Sequence, residues 1–204
     1  MNAIAMGGNA PLPGTRVTVE INLPQGARVD VTALQLYAGG KVRGDGDMCF
    51  FNQTEIGGGA VRLSSAGTTQ KFDIDTAHVG ADVEKIVINA VCETGAFSTV
   101  QGVSVRVANG PDLSIETADR SEAALILCEI YKRHDQWKIR NVSQGFNGGL
   151  QALAEHFGVE VAAPAVAPAP APKPTPAPET KPVNLNKVSL TKNERTVSLK
   201  KDDG

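Results

Sequence analysis

Aromatic residues are scarce, at 4% of 204 residues with a single Trp, so there is little from which to build the exposed ring platforms of a sugar-binding surface. No apolar run approaches the roughly 20 residues that cross a bilayer, which excludes a helical membrane span. The opening stretch MNAIAMGGNAPLPG has neither the basic start nor the sustained apolar core of a secretory leader. A cytoplasmic protein is therefore expected. Cys49, Cys92 and Cys128 are odd in number and widely spaced, with no CxxC pair or Cys/His cluster that would suggest zinc. They read as buried free thiols. Strong charge of either sign is also missing, the net being −2. Residues 1–160 carry 13 basic and 18 acidic side chains, and the remainder carries seven and four. An acidic body argues against nucleic acid as the main partner.

What is present is a series of short β patterns punctuated by 21 glycines and 12 prolines. RVTVEINL, Arg16 to Leu23, alternates strictly and reads as a half-buried strand. A second strand is expected from Val29 to Ala38, a returning one from Met48 to Phe51, and a short one at AVRL, Ala60 to Leu63. The polar stretch SSAGTTQ reads as a loop before a strand around Phe72 and Ile74. DVEKIVINAVC, Asp82 to Cys92, is almost continuously apolar and β-branched, the mark of a central strand covered on both faces. Val103 to Val107 and Leu113 to Thr117 add two more. Many short strands with Gly-rich turns predict an antiparallel β-sandwich.

The period then changes. Asp119 is placed as an N-cap with Glu122 three residues on, and EAALILCEIYKR, Glu122 to Arg133, carries Leu125, Ile126, Cys128 and Ile130 across a broad arc, which predicts a helix. His134 to Gln136 turns the chain into a strand at WKIRNV. The glycine-rich QGFNGG lacks the phosphate-loop lysine and the dinucleotide spacing, so it is expected to serve packing. A last helix is expected over Leu150 to Phe157, capped by Gly158. The fold class is thus mainly β with a few helices: an antiparallel sandwich with two C-terminal helices, followed by a Pro-rich tail expected to be disordered. Residues 1–161 form that domain. Residues 162–182, rich in Ala and Pro, read as a polyproline spacer. Residues 183–204 read as a basic tail with a near-repeat, VSLTK at Val188 and VSLKK at Val197.

The stretch GGKVRGDGDMCFFNQ, Gly39 to Gln53, carries the most specific chemistry. Asp45 and Asp47 lie at i and i+2, so on extended backbone both carboxylates project from one face. Gly44 and Gly46 let main-chain carbonyls join them, and Asn52 can add a neutral oxygen. A hard cation such as Ca²⁺ takes about six to eight oxygens of this mixed kind. The same residues equally make an ordinary solvated hairpin turn.

This stretch resembles the signature strand pair of the TerD family of bacterial stress-response and tellurite-resistance proteins. Glu122 to Val161 resembles that family's closing helix, strand and helix, and the likeness covers about residues 8–161. The resemblance implies a TerD-type sandwich and a non-catalytic protein of the tellurium-resistance and stress-response system. Its expected partners are other proteins of that system, through protein–protein interaction. It also implies calcium, with Asp30, Asp45, Asp47 and Asn52 as the positions matching the family pattern. The chain departs from the pattern in two places: Arg28 replaces a carboxylate, and Ser and Thr replace the acidic loop that ligates calcium in many members. Asp73 and Asp75 flank that loop and are candidate substitutes. The tail resembles the opening segment of such proteins and suggests docking to another TerD-type domain. Alternative readings are a calcium-dependent carbohydrate-binding sandwich and a metal-free structural or interaction member of the family. A hydrolase is disfavoured, since nothing separates the Asp45 and Asp47 pKa values and no nucleophile is tied to His134 and Asp135.

Overall fold

The computed structural model describes residues 3–93 and 95–159; the expected spacer and tail lie outside them. Two six-stranded antiparallel sheets form the body. In chain order the strands are β1 (Asn9–Pro11), β2 (Arg16–Asn22), β3 (Val29–Leu36), β4 (Met48–Cys49), β5 (Glu55–Ile56), β6 (Val61–Ala66), β7 (Thr69–Asp75), β8 (Lys85–Cys92), β9 (Ser104–Val107), β10 (Asp112–Leu113), β11 (Ala124–Arg133) and β12 (Gln136–Phe146). One helix follows, α1 (Gly149–Phe157). The first sheet runs β1-β12-β11-β8-β3-β4 and the second β10-β9-β2-β7-β6-β5.

Alternation decides which residues meet between the sheets. Val17, Val19 and Ile21 of β2 and Phe72 and Ile74 of β7 pack against Ile86, Ile88 and Ala90 of β8. The first sheet also buries part of its outer face. There Leu34 and Leu36 of β3, Val87 of β8 and Ile126 of β11 lie under Leu153 and Phe157 of α1. A strand covered on both faces must be apolar at successive positions, and this accounts for the run in β8.

The helix expected over Glu122 to Arg133 is a strand, β11, paired with β8 and β12. Its alternation is broken by a bulge between Ile126 and Cys128. Leu125 before the bulge, Leu127 within it and Cys128 and Ile130 after it all enter the inter-sheet core. That slip imitates a helical arc, and burial of both faces removes the polar positions that mark a strand. Glu122 caps nothing; its carboxylate takes an ion pair from Arg120 at 3.2 Å. The turn into β12 is His134-Asp135, with φ of 50° and 58° between paired Arg133 and Gln136. Two successive positive φ values are those of a type I′ hairpin, which usually carries Asn-Gly. The polar stretch after Leu63 is likewise a hairpin, with only Gly67 and Thr68 between paired Ala66 and Thr69.

The last helix stands as the period indicates, ended by Gly158 at φ 76° with its N–H on the carbonyls of Ala154 and Glu155. Its glycine entry serves packing: a Cβ on Gly148 would come within 2.7 Å of the Ala152 methyl. Since His134 and Asp135 hold left-handed backbone that costs non-glycine residues about 1–2 kcal/mol each, replacing them together with Asn-Gly should stabilise the protein by about 1 kcal/mol in urea unfolding. Unchanged or lower stability would show that this turn carries no such strain.

Candidate functional site

The signature stretch closes one end of the first sheet. After β3, Gly39 and Gly40 take φ of 85° and 71°, a reversal that side chains resist. The reversal is sealed by Gly40 N–H donating to Tyr37 O at 2.8 Å and Tyr37 N–H to Lys41 O at 3.0 Å. Val42 N–H then donates to Phe157 O at 3.0 Å, at the end of α1. The Lys41 ammonium donates to the carbonyls of Glu155 and His156, where a cation complements the helix dipole.

Asp45 to Asp47 form a single 3₁₀ turn, with Asp47 N–H donating to Gly44 O at 3.1 Å. The two carboxylates therefore do not share a strand face. Asp47 is committed to the protein: Oδ1 accepts the Tyr37 O–H at 2.8 Å and Oδ2 accepts the Arg43 N–H at 2.8 Å. The Arg43 guanidinium lies 3.6 Å from the centre of the Tyr37 ring and donates to Asp82 at 2.5 Å. That pairing holds the exposed Asp82 carboxyl below its ordinary range. Burial, then the bond to Asp47, holds the Tyr37 hydroxyl above its ordinary value. Gln53 completes the turn, donating from Nε2 to the carbonyls of Asp45 and Met48, both at 2.8 Å. Tyr37, Arg43 and Gln53 lie outside the expected ligand set. The phenol and guanidinium flanking the acidic turn, and the amide after it, were the signals available.

The expected ligands are dispersed. Asp45 offers its main-chain oxygen inward, and Asn52 is exposed. Asp30 sits at the far end of β3 on the outer face of the first sheet. Asp73 and Asp75 are on the outer face of the second sheet, across a sandwich about 10 Å thick. There Asp73 accepts from Thr18 at 2.5 Å, and Asp75 pairs with Arg16 at 2.8 Å and His78 at 3.0 Å. Among the described residues no three His, Cys, Asp or Glu side chains gather as a metal would need. With both Asp47 oxygens already accepting protein donors, this set does not fit a calcium cage.

Other chemistries find little support among the described residues. All three cysteines are buried, and burial pushes the Cys49 thiol up to about 11 and that of Cys128 up to about 12. Such thiols stay protonated at neutral pH and are poor nucleophiles. His134 and Asp135 are turn residues, with Asp135 paired to Lys132 at 3.2 Å. His156 lies between Phe146 and Phe157, and burial, then Lys41 and Lys85, keeps its pKa low. Trp137 packs on the core, so it offers no open platform for a sugar. Among the described residues no helix is long and apolar enough to cross a membrane.

The TerD domain is matched over residues 7–157. Tellurium resistance protein TerA of Alcaligenes sp is 38% identical over 159 residues, covering 76% of this chain and 46% of the relative. The chain thus spans about half of that protein's length. Tellurium resistance protein TerD of Alcaligenes sp is 29% identical over 190 residues, covering 78% of this chain and 98% of the relative. A crystal structure of a homologue of telluride resistance protein (TerD) from Streptomyces coelicolor A3(2) shares the fold, with a TM-score of 0.55 at 16% identity over 69% of this chain and 95% of that one.

Removing the Tyr37 hydroxyl takes one of two protein donors from Asp47, so Tyr37→Phe should cost about 1 kcal/mol in urea unfolding. Folding also holds the Tyr37 proton more tightly than the unfolded chain does. Its contribution is complete below the ordinary value of 10.0 and is lost as pH rises through the higher folded value. The stability difference between wild type and Tyr37→Phe should therefore shrink above that pH; a difference that stays constant would contradict the clamp.

Proposed function

Because the chain belongs to the TerD-domain family, we propose that it is a non-catalytic assembly component of a tellurium- and stress-resistance system. It works in the cytoplasm with other proteins of that system, and its signature turn operates without calcium. The observation that carries this reading is the commitment of Asp47 to Tyr37 and Arg43, with Gln53 holding the rest of the turn. A calcium ion would otherwise have to offset the repulsion of these carboxylates and order the loop. Here the protein's own donors do so. The buried, protonated thiols of Cys49 and Cys128 support a role in which these residues do not reduce tellurite. The engagement of Trp137 in the core favours assembly over the carbohydrate-binding alternative.

The full chain, co-expressed with the other proteins of its resistance system and run through size exclusion with light scattering in excess chelator, should elute as a complex heavier than the chain alone. A chain that stays alone in every combination would overturn the assembly reading. A complex that dissociates on removal of calcium and reforms on its return would overturn the calcium-free one.

A further inference from the structure

β4 covers only part of the β3 edge. Its two residues pair with Ala33 and Leu34, and the chain then leaves through the turn in which Phe50 and Gln53 exchange N–H···O bonds of 2.9 and 3.0 Å. Among the described residues, Val29 to Thr32 therefore have a strand partner on the β8 side alone. An edge of this kind presents main-chain donors and acceptors to any strand that approaches.

Beside that edge, on the outer face of the first sheet, runs an apolar groove of about 340 Å³ between Leu34, Met48 and Val91 on the floor and Leu153 and Phe157 on the wall. Phe51 and Leu150 line it too, 68% and 54% exposed, and only Met6 among the described large hydrophobics is similarly open. Asp30 closes one end of the groove next to Glu93. Burial, and then the neighbouring Glu93 charge and hydrogen bond, hold the Asp30 carboxyl above its ordinary range. No Lys or Arg forms an ion pair with either carboxylate among the described residues, although nine Lys or Arg pairs form elsewhere among them.

We propose that the Val29–Thr32 edge and this groove dock an extended strand of a partner protein, one that alternates apolar and polar residues and sets a lysine or arginine against Asp30 and Glu93. The proposal rests on the assembly reading above and places its contact surface. An open strand edge supplies main-chain hydrogen bonds, the groove takes alternate apolar side chains, and the uncompensated carboxylate pair selects a cation. A docked helix would fill the apolar wall but leave the edge unpaired. A nucleic acid would meet the wrong charge.

The probe is a fluorescent peptide NKVSLTKN, the sequence of residues 186–193, which has the required alternation and lysines. The protein is the full chain carrying Leu190→Asp and Leu199→Asp, so that its own copies of the pattern do not compete. Fluorescence anisotropy should show saturable binding, weakened at least about tenfold by Leu150→Lys and by Asp30→Lys. Replacing both peptide lysines with glutamate should abolish binding to the parent chain and restore it to the Asp30→Lys chain. Asp30 and Leu150, and Phe51 with Phe51→Asp as a third variant expected to weaken binding likewise, are solvent-facing, and unchanged thermal melts confirm that each chain is folded. Absence of saturable binding, or binding indifferent to all of these substitutions, would overturn the proposal. Failure here with the co-expressed complex intact would remove the groove and leave assembly standing; loss of the complex itself would remove the broader reading.

Discussion

The carboxylate of Asp47, held by the Tyr37 hydroxyl and the Arg43 amide, fixes the end of the domain on which the rest relies. It sets the return of the chain from β3 into β4, and with it the position of Lys41 and Val42 against α1. That helix has nine residues, fewer than the roughly 12–15 at which an isolated helix becomes even marginal in water. It persists because its apolar face lies on the first sheet and its last carbonyls are met by Gly158, Val42 and Lys41. Without the helix, Leu34, Leu36, Val87 and Ile126 would lose their cover. One turn thus couples a strand end, a helix end and the second, smaller core.

How far the sequence exposed this architecture depended on whether one face of an element meets water. β2 alternates between core and surface, and its strand is legible residue by residue. β8 is buried on both faces, yet its β-branched run and length distinguish it. β11 is buried as fully, but its bulge places Leu127 and Cys128 consecutively in the core, and its exit turn uses His-Asp where Asn-Gly would have signalled a hairpin. Local pattern therefore reads as a helix what strand pairing on both sides makes a strand. The candidate site was legible as a location, and the partners of its carboxylates were not. Spacing put Asp45 and Asp47 together, whereas the donors that occupy Asp47 come from Tyr37, ten residues back, and from the backbone of Arg43.

The same geometry bears on what kind of protein this is. Catalysis needs groups with separated or perturbed protonation inside a shared cleft. Among the described residues the large shifts belong to the buried thiols of Cys49 and Cys128, and the Tyr37 hydroxyl, raised by burial and by its bond to Asp47, belongs to a structural clamp. Polar side chains around the signature turn face one another and fix shape. Such an arrangement suits the proposed assembly role, in which a rigid body presents edges and grooves to partners. Membership of the TerD-domain family places the chain among relatives named for tellurium resistance, and the assembly reading proposed above is how such a chain would take part in it.

The measurement that most directly tests the central claim is calorimetric titration of the full chain with Ca²⁺, alongside the Asp45→Asn/Asp47→Asn variant. A turn already held by Tyr37, Arg43 and Gln53 predicts no saturable heat up to about millimolar calcium, the weak end of protein calcium sites, for either protein. A saturable site in the wild type that vanishes in the variant would show that the metal, and not the protein's own donors, organises this end of the fold.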